Sequence, residues 1–309
     1  MKLEGIHHIT AITGDAPRNV EFYAGTLGLR LVKKTVNQDD PTVYHLFYAD
    51  EKGSPGADLT FFEYPGAIPG VAGDGMVHRI VWRVSAAAAI DFWETRLADQ
   101  GVASERVAGR LRFRDPEGLE HELTIVTGPD APLIAEHPDI PADHALQGFD
   151  AVHAYASNPA RSEQLLREVL GFDGGEAGHW EVRGDERGGH YVYDAPPAER
   201  PVPGAGTVHH VAFATRLEDQ EAWQAHVAQS GAARPTPIID RFYFRSVYFR
   251  EPSGVLFELA TIGPGFSSDE DPDHLGERLS LPPNFEHLRD QVEKVLTPLP
   301  NPRASASPR

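Results

Sequence analysis

The chain has no cysteine among its 309 residues. Disulfides, zinc–thiolate sites and cysteine nucleophiles are therefore excluded, and any metal has to be held by His, Asp and Glu. Such ligands suit iron(II), manganese(II), zinc or nickel rather than thiolate-seeking ions. Basic residues are scarce beside acidic ones, 28 Lys and Arg against 46 Asp and Glu, for a formal net charge of −18. A phosphate backbone needs clustered Lys and Arg, so no nucleic acid is expected as a partner. No apolar run approaches the ~20 residues that span a bilayer, so no membrane is expected either. The first residues, MKLEGIHHIT, lack the basic stretch and apolar segment of a secretory signal and run straight into a strand-like pattern, which suggests a cytoplasmic location.

What is present is a pattern that recurs four times. Short β-like runs with a histidine near the start open at Gly5 (GIHHITAIT), Gly75 (GMVHRIVWRV), Phe149 (FDAVHAYAS) and Gly206 (GTVHHVAFAT). The histidines His8, His78, His153 and His210 lie 70, 75 and 57 residues apart, a spacing that suits repeated modules. A helical pattern follows each run, over 16–27, 87–97, 159–170 and 220–229. Gly28 and Gly171 stand where a helix would end on a glycine. Further β-like runs close each module, and in three of them the last follows a glycine: GADLTFFEY, GLEHELTIV and GVLFELATI. The expectation is an α+β fold of four βαβββ modules paired into two domains with cupped mixed sheets. The longest irregular connection, 129–148, places one domain at 1–130 (modules one and two) and the other at 149–263 (modules three and four). A tail follows over 264–309, in which LPPNFEHLRDQVEKVL reads as a proline-started helix and NPRASASPR as disordered.

Superposing the modules on the first-strand histidine and the fourth residue after the last-strand glycine pairs His8 with Thr60, His78 with Glu122, His153 with Tyr193 and His210 with Glu258. Residues two apart in a strand share a face, so two cupped modules can bring two histidines and one carboxylate together. Two neutral imidazoles and a carboxylate on one face of an octahedral metal leave adjacent positions open. Within the doublets His7-His8 and His209-His210 only one residue of each pair can face the cup of a regular strand.

GIHHIT, the YHLFYAD run over 44–50, GSPGADLTFF, VHHVAFAT and RFYFRSVYFREPSGVLFE over 241–258 together resemble the vicinal oxygen chelate superfamily, and within it the dioxygenases that cleave hydroquinone rings. The resemblance covers nearly the whole chain and is strongest in modules one and four. It implies ligation of one metal by His8, His210 and Glu258, with iron(II) or manganese(II) as the ion and O₂ as co-substrate for a small aromatic diol. It further implies roles near the substrate for His7, Thr10, Arg241 and Tyr248. Arg245 could take the part given to Arg241, and both Arg241 and Tyr248 also read as an ordinary charged residue and a packed aromatic. A position for His7 near the substrate requires an irregularity in its strand.

Other readings stand beside this one. His78, Glu122 and His153 form either a second metal site or a relic of duplication, while His121, His144, His179 and His190 read as surface or packing residues. A glyoxalase-type isomerase would keep the fold and the metal without O₂, and a binding protein would hold a small molecule with no metal at all. The tail from Phe266 is expected to cover the cup, and exposed module edges are compatible with a homodimer.

Overall fold

A computed structural model describes residues 1–302; the reading of NPRASASPR as disordered falls largely outside them. All four modules form. Module one comprises β1 (Ile6–Thr13), α1 (Ala16–Val20), β2 (Arg30–Asn37), β3 (Asp40–Ala49) and β4 (Asp58–Glu63). Module two has β5 (Val77–Val84), α2 (Ala87–Asp99), β6 (Ser104–Val107), β7 (Arg110–Arg114) and β8 (Glu120–Ile125). Module three has β9 (Phe149–Tyr155), β10 (Asp173–Gly174), β11 (His179–Arg183) and β12 (Gly188–Asp194). Module four has β13 (Val208–Thr215), α3 (Gln220–Ser230), β14 (Ile239–Asp240), β15 (Arg245–Arg250) and β16 (Leu256–Thr261).

The helical segments of modules one and three are irregular in the same way. Each closes with a π turn, Glu21–Thr26 and Gln164–Val169, in which the Leu27 and Leu170 amides reach back five residues to Phe22 and Leu165. Gly28 and Gly171 then take φ of +70 and +72, the left-handed conformation that a residue with a Cβ avoids. The tail differs from expectation. Its helix α4 (Arg289–Val295) begins well after Pro282 and Pro283, and a 3₁₀ turn over Glu286–Leu288 leads into it. Among the described residues no helix is long and apolar enough to cross a membrane.

Two eight-stranded sheets result, ordered β14-β15-β16-β13-β1-β4-β3-β2 and β10-β11-β12-β9-β5-β8-β7-β6. The first joins modules one and four, the second modules two and three, so sheet pairing departs from the grouping by chain order. The joins are antiparallel contacts between opening strands, β1 with β13 and β5 with β9. Modules two and three are consecutive in the chain but modules one and four are not; in each pair the opening strands meet at the centre of the sheet, with β2, β6, β10 and β14 at its outer edges.

Aliphatic and aromatic side chains on the convex faces, among them Ile9, Leu59, Trp82, Leu123 and Phe213, form one continuous buried core under the helices. Module one's helical segment leans on the second sheet: the Tyr23 hydroxyl donates to Asp115 at 2.9 Å and lies 3.0 Å from His121 Nε2. His121 Nδ1 accepts from the Trp82 indole at 3.1 Å, so the ring must be neutral, and burial pushes its pKa down to about 3. The unfolded chain protonates this histidine below about pH 6.5, whereas the folded chain resists down to about 3. Its stabilising contribution is therefore complete above 6.5 and is lost as the pH falls through that interval. His121→Gln is expected to cost roughly 2 kcal/mol at pH 7.5. The gap to wild type in thermal melting should narrow steadily below pH 6.5; a gap that stays constant down to pH 4.5 would contradict this account.

Candidate metal centre

The centre lies where β1, β13 and β16 meet. His8 Nε2 and His210 Nε2 are 3.2 Å apart, and Glu258 Oε2 lies 3.1 Å from the first and 2.8 Å from the second. All three residues are buried, Glu258 completely. Ligands held at about 2.1 Å and at right angles around an ion lie about 3 Å from one another, which is the spacing seen. Among the described residues neither Glu258 oxygen has a conventional hydrogen-bond donor, so two imidazoles and a carboxylate converge on a point that calls for a cation.

Bulges in the strands explain how adjacent histidines act together. Ile6 pairs with Phe213 and His8 with Ala212, which leaves His7 as an extra residue in β1. Thr10 pairs with His210 and Ala11 with Val208, which leaves His209 as the extra residue in β13. Each bulge turns the extra histidine toward its neighbour: His7 Nδ1 lies 2.9 Å from His8 Nδ1, and His209 Nδ1 lies 2.8 Å from His210 Nδ1. His7 Nε2 lies 3.2 Å from the Thr261 carbonyl, an acceptor only, so this nitrogen carries the proton. His7 Nδ1 then accepts from His8 Nδ1–H, leaving the lone pair of His8 Nε2 aimed at the centre. Burial, with His8 beside it as the next contribution, lowers the pKa of His7 to about 3 and keeps it neutral for this task. Burial opposes the charge on Glu258, yet His8 and His210 hold its carboxyl well below the usual carboxylate range.

The triad opens into a cavity with Phe47, Phe62 and Phe244 on its walls, together with Tyr248, Arg241 and His45. Tyr248 pairs across the sheet with Glu258, and its ring centroid lies 5.7 Å from that of His210. Arg241 lies over the Tyr248 ring at 5.6 Å, with its guanidinium on the Asp39 carboxylate at 3.0 and 3.1 Å. Arg245 does not reach this cavity. His7 and Thr10, expected near the substrate, stand behind its wall and do not line the cavity. The Thr10 hydroxyl is 2.8 Å from Thr60 Oγ1, which is in turn 2.9 Å from His45 Nε2. His45 carried no role in the sequence reading; its place in the quoted YHLFYAD run was the available signal. In the tail, Phe266 packs on Phe47 and Tyr243, which line the cavity, and buried Lys33 holds it through the Phe266 carbonyl, Asp269 and Glu270. A large surface groove runs beside α1 and the 136–139 and 273–277 segments, apart from the triad, and contributes no ligand set among the described residues.

The chain belongs to the glyoxalase/bleomycin resistance protein/dioxygenase superfamily. The family profile matches residues 5–123 and 148–259. The chain is 39% identical to "Putative ring-cleaving dioxygenase MhqA" of Bacillus subtilis, over 97% of this chain and 100% of that protein. It is 31% identical to the chlorohydroquinone/hydroquinone 1,2-dioxygenase of Sphingobium indicum, over 96% of each. A crystal structure of a Bacillus subtilis protein described as a "putative dioxygenase" superposes with a TM-score of 0.89 at 39% identity, over 97% of this chain and 98% of that one. Maize glyoxalase I shares the fold, with a TM-score of 0.54 at 16% identity over 83% of this chain and 92% of that one.

The superfamily module also lets the two sheets be compared residue by residue. With β5 matched to β13 and β9 to β1, the bulge in β5 at His78 matches that at His209 and makes Arg79 the counterpart of His210, while the bulge in β9 at Asp150 matches that at His7 and makes Ala151 the counterpart of His8. The sequence superposition of His78 and His153 with the ligands is corrected accordingly. Arg79 reaches Glu120 at 3.1 Å, His153 at 2.9 Å, Asp194 at 3.2 Å and Glu122 at 3.6 Å. Glu122, the counterpart of Glu258, is held by Arg110 at 2.7 Å and Arg112 at 2.5 Å. His78 and His153 instead meet Asp194, each at 2.9 Å, and this half-buried trio is close enough to form a ligand set. The Arg79 guanidinium beside it already supplies the cation, and a divalent ion there would face that charge. Metal analysis of purified protein is expected to give about one ion per chain, unchanged in His153→Ala and abolished in Glu258→Gln. Retention by Glu258→Gln would remove the triad from consideration.

Proposed function

We propose that this chain is a metal-dependent ring-cleaving dioxygenase that inserts both atoms of O₂ into an aromatic diol, a hydroquinone or a catechol, with iron(II) as the preferred ion and manganese(II) as the alternative. The observation that carries the reading is a 2-His-1-carboxylate set facing a cavity walled by aromatic rings. The whole-length similarity to proteins named as ring-cleaving dioxygenases supports it. When bound, the ion supplies a Lewis acid and an electron conduit with adjacent positions open.

The remaining chemistry falls to the side chains. His7 and His209 orient the two ligand rings through Nδ1 and fix the tautomer that leaves Nε2 free. Phe47, Phe62 and Phe244 flank a planar ring and exclude water from it. Burial, together with the negative charge of Glu258, raises the pKa of the Tyr248 hydroxyl, so this group keeps its proton and donates it in a hydrogen bond to negative charge developing on the substrate. Arg241 places a positive charge over the Tyr248 ring while its pair with Asp39 secures the hairpin at the cavity mouth.

Oxygen uptake by anaerobically iron(II)-loaded protein, given a panel of hydroquinones and catechols, tests the proposal. The expected result is stoichiometric O₂ consumption with a ring-opened product. Conversion without O₂ would indicate an isomerase, and tight binding by metal-free protein without turnover would indicate sequestration. Tyr248→Phe should lower kcat by roughly 10²-fold while the metal content stays at the wild-type value. An unchanged kcat would remove Tyr248 from the reaction.

A further inference from the structure

A planar diol held at one end by the triad needs a polar partner for whatever lies at its other end. Most polar groups on the cavity wall are already engaged, although the buried Thr35 hydroxyl on β2, one strand beyond His45, has no conventional hydrogen-bond partner among the described residues. Gln38 donates to the Arg241 carbonyl at 2.7 Å, Arg241 holds Asp39, and the Tyr243 hydroxyl donates to Asp269 at 2.9 Å. Asn37 accepts from the Asp39 amide at 2.9 Å and contacts the Tyr64 hydroxyl. Tyr248 lies at the triad end, opposite Glu258.

His45 is different. Its Nε2 is fixed by Thr60, its ring is clamped between Phe47 and Phe62 at centroid distances of 3.9 and 4.4 Å, and no described residue bonds its Nδ1. The hydroxyls behind it suit either neutral form of the ring. Thr60 can donate to Nε2 while accepting from Thr10, or accept from Nε2–H while donating to Thr10. Nδ1 is thus free either to accept a hydrogen bond or to donate one. Burial, then the nearby charges of His8, His210 and Arg241, disfavour protonation of this imidazole.

The sheet sets the separation. His8 lies on β1, Thr60 on the neighbouring β4 and His45 on the strand beyond, β3. Two strand steps span about 9.5 Å of sheet. A diol chelating through adjacent hydroxyls keeps both oxygens at the triad and leaves that width unbridged. A para-diol binds through one oxygen and carries the other a full ring's width away, over Thr60 and toward His45.

Building on the proposed dioxygenase reading, we infer that His45 is the specificity residue of this cavity: its Nδ1 hydrogen-bonds the substrate hydroxyl remote from the triad, which selects para-diols over ortho-diols. The Thr10–Thr60 pair is the positioning device behind it. This also gives Thr10 a role without contact to the substrate.

The test is equilibrium binding by calorimetry under nitrogen, using protein with the metal it retains and two probes, hydroquinone and phenol. These share the end that meets the triad and differ in the remote hydroxyl. Wild type is expected to favour hydroquinone by roughly tenfold, the value of one buried hydrogen bond. His45→Phe should bring the ratio close to one, and His45→Asn, whose amide can occupy the place of Nδ1, should restore part of it. Thr60→Val leaves the imidazole in place without its anchor, so it should give an intermediate ratio even if His45→Phe fails to fold. A wild-type ratio near one, or an undiminished ratio in His45→Phe or Thr60→Val, overturns the assignment. Oxygen uptake by the wild type is read separately. A preference that depends on His45 without uptake leaves the recognition standing and sinks the dioxygenase reading; uptake with a ratio indifferent to His45 does the reverse.

Discussion

A carboxylate sealed from water is the constraint around which the first sheet is built. Glu258 has no exposed surface, and its close polar partners among the described residues are two imidazoles that are also buried. An ionised group in that position is costly unless a cation completes it. Each element near the centre answers that requirement. The antiparallel joint of β1 and β13 brings His8 within reach of His210, and paired bulges let the residue before each ligand hold its ring from behind. β16 then sets Glu258 beside them through its parallel pairing with β13.

The second sheet meets the same electrostatic problem with different means. Glu122 is as deeply buried as Glu258, but Arg110, Arg112 and Arg79 surround it and hold its carboxyl below the ordinary range despite burial. Guanidinium groups are always charged and cannot dissociate from the chain. One sheet therefore leaves its buried carboxylate facing two imidazoles, a set that an exchangeable ion would complete, while its counterpart carries its own cation.

Much of this was legible in the sequence, and the limits have physical causes. The module repeat and the helix-ending glycines Gly28 and Gly171 follow from periodicity and local conformation, which neighbouring residues determine, whereas the set His8, His210 and Glu258 was implied by the family resemblance. Sheet pairing was not legible, because it depends on which free edges meet and not on which modules are adjacent in the chain. The bulges were equally hidden. A bulge shifts the register by one residue, so alignment on histidines put His78 where the backbone puts Arg79. His45 escaped notice for a related reason: its partner Thr60 occupies the module-one counterpart of Glu258, a position that looked inert because it could not supply a carboxylate. The start of α4 was misplaced because Pro282 and Pro283 are compatible with a helix start but do not impose one.

The crossed pairing of the modules has a consequence for biosynthesis. The arginine-filled sheet is made from one unbroken stretch, from Val77 in β5 to Asp194 in β12. The metal-facing sheet instead needs both flanks of the chain, with His8 and His210 separated by 202 residues. A nascent chain can complete the former while the strands that carry His210 and Glu258 are still to be translated, and the first module must wait for them with its edge unpaired. Assembly of the His8, His210 and Glu258 set is thereby confined to chains that have been translated as far as β16, so a prematurely terminated product lacks the triad.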